Sequence, residues 1–415
     1  MAEHVVIVGA GIVGIACAHY LAESGYAVTV IDQGRIGGGC SHGNNGHICA
    51  SHVLPLNEPG NLRAALLSLA NPRAPFRVKP QWRPDLLRWF YEFARRCNHR
   101  HALSAGSAMK SILDASVREY EALFLARGLE AGWQPLGLLY VLRTRHGMER
   151  FAAQDAMLRD TFGVGATRLE GSELVEFDPA LRPGLAGGFH YEGDAFLRPD
   201  ALTANWARRL KARGVRFEER RRLQRVEIAG GKVERLVTNA GYETADHYVF
   251  ALGAWSTQLA ADLDCPIPVE PGKGYSVTTT RPRNCPRQAL LFAEHRVAVT
   301  PFEDGFRLGS MMEFAGYDAT TSPRRIRQLA DSAKHYLHEP GGDQVLETWS
   351  GWRPMTWDSL PLIGRVPGLD NALLATGHHM LGMTMAPATG RLVAEIIGEE
   401  ATHIDPAPFS PGRFS

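Results

Sequence analysis

The chain is 415 residues long, 45% hydrophobic and 21% charged, with 45 Lys+Arg against 44 Asp+Glu. That is too apolar for a disordered chain, and at roughly 100–200 residues per domain it suggests two or three domains. A formal charge of +1 gives no global reason to expect nucleic acid or an acidic surface as partner.

Residues 5–22 are apolar enough to raise the question of a signal peptide or a membrane span. No Lys or Arg precedes them, three glycines interrupt them, and the apolar period changes partway along. Val5-Val6-Ile7-Val8 has the continuous apolar pattern of a strand buried on both faces, and a helix follows Gly11. A second strand, Ala27–Ile31, ends in Asp32. Strand, GxGxxG turn, helix, strand and acid thus fall within about thirty residues, the spacing of a dinucleotide site. Gly9 allows the tight turn, Gly11 lets a pyrophosphate approach the backbone next to Ile12 and Val13, and Gly14 lets helix and strand pack closely. The diphosphate would sit on the free N–H groups of the helix start. Asp32, beside Gln33, can accept from both ribose hydroxyls. The motif does not by itself separate FAD from NAD.

Residues 36–48 form a small, polar, glycine-heavy segment whose backbone can wrap a ligand. From 60 to 130 the pattern is helical, with a stripe at Leu86, Leu87, Trp89, Phe90, Phe93, Ala94 and Cys97 after Pro84-Asp85. The basic, aromatic stretch 73–100 could touch a membrane surface or another subunit; packing on its own domain is the plainer reading. Strand-like runs follow at 137–143 and 187–191, then a helix from about Asp200 to Arg213. Further strands are expected at 215–217, 225–228, 232–238, 245–252 and within 266–315, and a helix from Ser322-Pro323 to about His338. Six cysteines with no CxxC spacing argue against zinc or a disulfide framework, and nothing reads as secreted. A cytoplasmic location is expected, with the inner face of the membrane as a variant of it. The alternation predicts an α/β plus α+β chain. A Rossmann-like dinucleotide-binding domain (1–60, 198–260 and 345–415) carries an inserted substrate domain on a mostly antiparallel sheet (61–197 and 261–344).

After Trp349 the chain turns glycine-rich again, with Gly351-Trp352-Arg353-Pro354-Met355-Thr356 and then Gly377-His378-His379-Met380-Leu381-Gly382-Met383-Thr384 opening an apolar helix. A second glycine-gated helix start suits a flavoenzyme, where its positive end can stabilise the reduced ring. With GAGIVG, the Cys40–Ile48 run and Lys273-Gly274-Tyr275-Ser276, these motifs resemble, in order and over essentially the whole chain, the FAD-dependent D-amino acid oxidase-type superfamily. The bacterial D-amino acid dehydrogenases of small-subunit type are the members it resembles in particular.

The resemblance implies FAD as cofactor and hydride transfer from the α carbon of a D-amino acid or cyclic D-imino acid to flavin N5, with electrons passed to a quinone or other carrier. It places Gly9, Gly11, Gly14 and Asp32 on the ADP half, and Ser41 with Asn45, Gly46, His47 and Ile48 along the diphosphate and flavin. Val226 is implied at adenine, Ala251 and Gly253 beside the dinucleotide, and Gly377 and Met380 to Thr384 against the ring. Arg353 matches the arginine that grips the substrate carboxylate, and Tyr275 a tyrosine of the same pocket. His379 is a candidate to accept the amine proton or bond the amine.

The chain departs from the family's common GHGTLGWTMA, with His379 and Met380 replacing smaller residues, and Trp357 stands where proline is common. These suggest a bulkier wall and a compact or cyclic substrate, such as D-proline or a hydroxy-D-proline. An O2-dependent oxidase of the glycine or sarcosine oxidase type is the alternative. From another class come a flavin-bearing RNA-modification module or a non-catalytic FAD subunit of an oligomer, which charge balance and an intact pocket disfavour.

Overall fold

The computed structural model describes residues 2–60 and 74–415. Residues 61–73, the start of the expected helical region, lie outside the described residues. Strand β1 (His4–Val8) sits in the middle of a six-stranded sheet, paired in parallel with β2 (Ala27–Ile31) and with His247–Phe250. The order runs Leu362–Arg365, Ala372–Thr376, His247–Phe250, β1, β2, Arg216–Glu218. All pairings are parallel except that of the first two strands. A central parallel strand needs apolar residues on both faces. Val5, Val6 and Ile7 are accordingly fully buried, each worth ~1.5–3 kcal/mol of burial.

Helix α1 (Ile12–Glu23) is apolar nearly all round because it lies between that sheet and a second helix from the other end of the chain. An added methyl at Gly14 would sit 1.9 Å from the Gly9 carbonyl oxygen, so strand and helix meet backbone to backbone there.

A second sheet is nine-stranded and mostly antiparallel; a three-stranded sheet (Leu223–Ala229, Lys232–Thr238, Gly241–Glu243) and a two-stranded one (His47–Ile48, Ala195–Phe196) hold the other strands among the described residues. The site-bearing edge of the nine-stranded sheet consists of β3 (Val269–Thr279), β4 (Gly305–Phe314) and β5 (Val345–Thr356). One face packs Tyr275, Val277, Leu308 and Leu329 into an apolar cluster; the other holds the 42–46 loop, through Arg307 donating to the His42 and Asn44 carbonyls. Helix α2 (Gly382–Ile397) closes the nucleotide unit against α1.

The sequence reading puts residues 345–356 in the FAD-binding domain, and β5 departs from it. Its strand pairs with β3 from Val269↔Thr356 to Thr279↔Val345, so residues 345–356 join the larger sheet and not the nucleotide sheet. The helix after Ser322 ends at Ala333, short of His338. No helix of the described residues is long and apolar enough to cross a membrane.

Candidate active site

A cavity of about 1050 Å³ runs from Asp32 at the end of β2, past the start of α1, to Arg353 on β5 and the start of α2. Both helix starts open into it, and neither N-cap residue, Gly11 or Leu381, covers the helix end with a side chain. The N-terminal ends of two helices therefore give one cavity two positive regions. Ser41 Oγ accepts from the Ile12 N–H at 3.0 Å, which ties the glycine-rich loop to the first turn of α1.

The dinucleotide half follows from local geometry. Gly9 has φ +112°, and a Cβ there would sit 2.4 Å from the Ala251 carbonyl oxygen. At Gly11 the nearest atom to an added Cβ is Ser41 Oγ at 3.6 Å, so the backbone is open to a ligand on that side. Asp32 accepts from the Ala10 and Gly34 N–H groups, each at 2.7 Å. A carboxylate retains further lone pairs for ribose hydroxyls. An acid, an open glycine turn and two bare helix starts along one elongated cavity fit an FAD molecule.

Of the residues expected in the site, Gly9, Gly11, Ile12, Val13, Asp32, Gln33, Ser41, Ala251, Gly253, Arg353, His379, Met380, Gly382 and Met383 line the cavity. Gly14, Asn45, Gly46, His47, Ile48, Val226, Gly377, Leu381, Thr384 and Tyr275 stand behind that wall. Gly46, at φ +76°, backs onto the Leu197 carbonyl; Asn45 presses on Gly309; Gly377 packs against Thr356. The His47 ring bonds Thr300 and the Val299 carbonyl, and Ile48 is fully buried. Thr384 ties the His47 carbonyl to the Cys49 N–H, while Leu381 N–H donates to His378. The Val226 N–H, expected to meet adenine, donates to Asp262 at 3.0 Å. Asp262 itself lines the cavity, as does Gln258, and no motif marks either in the sequence; Trp352, within the Gly351–Thr356 motif, lines it as well.

Two expectations change with the geometry. Side chains alternate across a strand, and Arg353 is registered opposite Gly272 while Tyr275 is opposite Ser350. Arg353 and Tyr275 therefore lie on opposite faces of the sheet. The Tyr275 ring lies in the apolar cluster and its hydroxyl donates to Glu313 at 2.7 Å, so Tyr275 is not a neighbour of Arg353. Trp357 turns away from the cavity, edge-on to Phe414 and beneath Arg96, and does not thicken its wall.

His379 occupies φ +53°, a conformation in which glycine is at ease. Its ring folds back onto β5, with Nε2 receiving the Thr356 N–H at 3.0 Å. Burial pushes its pKa down to about 4, so the ring is neutral near pH 7. Thr356 Oγ1, which donates its own proton to the Leu360 carbonyl, lies 2.7 Å from the same nitrogen, and Nδ1 is buried without a protein partner among the described residues. Next to it, Met380 is 41% exposed and lines the cavity. His378 bonds Thr389 and is likewise held neutral by burial.

Arg353 donates from Nη1 to the Met311 carbonyl at 2.6 Å, and it has no carboxylate within ion-pair distance among the described residues. Its charge is opposed mainly by burial, with the Cys40 thiol beside it. An enclosed guanidinium with spare donors is costly until an anion meets it.

Residues 4–396 match the family model described as FAD dependent oxidoreductase, DAO. The chain belongs to that family. It is an FAD-dependent oxidoreductase. It is 32% identical over 416 residues to a D-amino acid dehydrogenase of Neisseria meningitidis, covering 99% of both chains. A D-amino acid dehydrogenase of Chromohalobacter salexigens is also 32% identical, again over 99% of each. Among solved structures, glycine oxidase from Geobacillus kaustophilus superposes with a TM-score of 0.77 at 23% identity, over 99% of this chain and 98% of that one. L-proline dehydrogenase from P. horikoshii gives 0.75 at 22% identity, over 100% and 98%. These neighbours establish the fold.

Proposed function

We propose that this flavoenzyme dehydrogenates a D-amino acid or cyclic D-imino acid of compact shape, of the D-proline or hydroxy-D-proline kind, and passes the electrons to a quinone or other carrier. The observation that carries the reading is Arg353, an enclosed, unpaired guanidinium in the same cavity as the cofactor residues. Its planar fork suits a carboxylate, which it meets with two parallel bonds. The dehydrogenase relatives support the D configuration and the carrier; the fold alone does not, since an L-proline dehydrogenase shares it. Met380 in the wall favours a small substrate. The exposed Trp82, Leu87 and Tyr91 beside Arg88 offer a surface for peripheral membrane contact or a second subunit.

In this reading FAD, when bound, supplies the hydride acceptor at N5. Arg353 fixes the substrate carboxylate and so aligns Cα–H; well-oriented systems gain roughly 7–11 kcal/mol in this way. The positive ends of α1 and α2 favour negative charge along the cavity. His379 is a neutral part of the wall, and the amine enters already deprotonated from solvent. Loss of hydride from Cα leaves an imino acid, which water hydrolyses to a 2-oxo acid when the substrate is a primary amine.

The test is the visible spectrum of the anaerobic holoenzyme with D- and L-amino acids, including both prolines and the hydroxyprolines. Bleaching by a compact D-substrate is expected. Bleaching by L-substrates alone would overturn the D assignment, and equal rates with large and small D-amino acids would overturn the compact pocket. Readmitting air separates an oxidase from a dehydrogenase.

A further inference from the structure

Strands β3 and β4 pair Tyr275 with Ser310 but Lys273 with Glu313, so β4 carries one residue more than its partner. The extra residue lies at Met311, whose φ is +75°. A left-handed methionine inside a strand is rare, because its Cβ crowds the backbone there. In a regular ladder each carbonyl lies in the plane of the sheet and points to the neighbouring strand. The bulge breaks that pattern. The Met311 side chain joins the cluster with Tyr275 and Leu329, while its carbonyl accepts from Arg353 Nη1 at 2.6 Å. On the other side of the guanidinium is Gly274. A Cβ there would fall 2.4 Å from both Nη atoms, so only glycine leaves the arginine its place.

We propose that the one-residue bulge at Met311, with Gly274 opposite it, is the device that aims Arg353 at the substrate carboxylate. Met311 and Gly274 are positioning residues and touch no substrate themselves. The inference rests on Arg353 being the carboxylate clamp, as proposed above.

The experiment measures binding of 2-aminoisobutyrate to the holoenzyme by calorimetry. This amino acid has no hydrogen on Cα, so it binds without being oxidised. Gly274→Ala, whose methyl meets only the far end of a flexible side chain, is expected to keep its melting temperature and FAD. Its dissociation constant is expected to rise about 10- to 100-fold, the worth of a charged hydrogen bond. Met311→Val, which resists positive φ, is expected to do the same, with KM rising more than kcat falls. Met311→Asn, which tolerates positive φ, is expected to recover most of the lost affinity. Should the valine variant fail to fold, Gly274→Ala decides alone. Wild-type affinity in Gly274→Ala and Met311→Val, with Arg353→Lys weakened, would overturn the positioning role and leave the clamp standing. Wild-type affinity in Arg353→Lys would overturn the clamp itself.

Discussion

The Thr356 amide donates to His379 Nε2 across 3.0 Å, and Thr356 Oγ1 lies 2.7 Å from the same nitrogen, so one residue grips the ring from two atoms. Burial holds that ring well below its ordinary range, to about 4, so near pH 7 it is neutral and a weak base. The log of kcat/KM should therefore rise with unit slope up to the substrate's own amine pKa. His379→Gln should leave that inflection where it is. An inflection near pH 6–7 that vanishes in His379→Gln would make the histidine a base after all.

Removing the clamp should separate binding from cofactor retention. Arg353→Ala is expected to raise KM for the amino acid by ~10- to 100-fold or more, since charge-assisted contacts are worth ~1.5–3 kcal/mol. FAD should stay bound, because the Asp32 end of the cavity is untouched. Steady-state kinetics together with the flavin absorbance per protein check both halves.

At the other end of the cavity, Asp32 holds the Ala10 and Gly34 amides and is the residue proposed to meet the ribose. Asp32→Ala should weaken FAD binding at least ~10-fold by the same measure of charged contacts. Titration of apoenzyme with FAD reads it. Full occupancy at wild-type FAD concentrations would remove the ribose assignment.

Burial pushes His47, His52 and His379 down to about 4 and His378 to about 3. In the unfolded chain each takes its proton near pH 6.5, while in the folded chain it does so only below 4. Between those values the unfolded state binds more protons, so stability falls as pH falls. The slope is at most about 1.4 kcal/mol per pH unit for each histidine. The melting temperature of the holoenzyme should drop steeply from pH 6.5 to 4 and be insensitive to these groups above pH 7.5. A flat profile across that window would show them protonated in the fold.

What the sequence revealed was what short-range chemistry determines. Gly9, Gly11, Gly14 and Asp32 lie within one βαβ unit, where turn, helix start and acid must follow in order. The reach of β5 was not legible, because Trp349-Ser350-Gly351-Trp352-Arg353-Pro354 lacks a clean alternation; the strand exists because β3 pairs with it residue by residue. Tyr275 and Arg353 could be assigned to one pocket but not to one face, since relative face depends on a register between segments some eighty residues apart. Asp262 and Gln258 went unseen for a related reason. They reach the cavity from a turn that follows the His247–Phe250 strand, and no spacing rule announces them.

One more consequence follows from α1 lying against α2. Gly390 sits so close that a methyl group there would come within 2.5 Å of the Ala16 backbone, and β1 needs His247–Phe250 beside it, itself flanked by Ala372–Thr376. The first strand and helix to leave the ribosome thus wait for partners made near the end of the chain. At ~5–20 residues per second, that interval is roughly 20–70 s. Throughout it, Val5–Val8 has β2 beside it, but the helix after it lacks the cover that α2 gives. The nascent chain is then most exposed to aggregation in its earliest segment, and its demand on chaperones should grow with anything that slows synthesis of the last hundred residues.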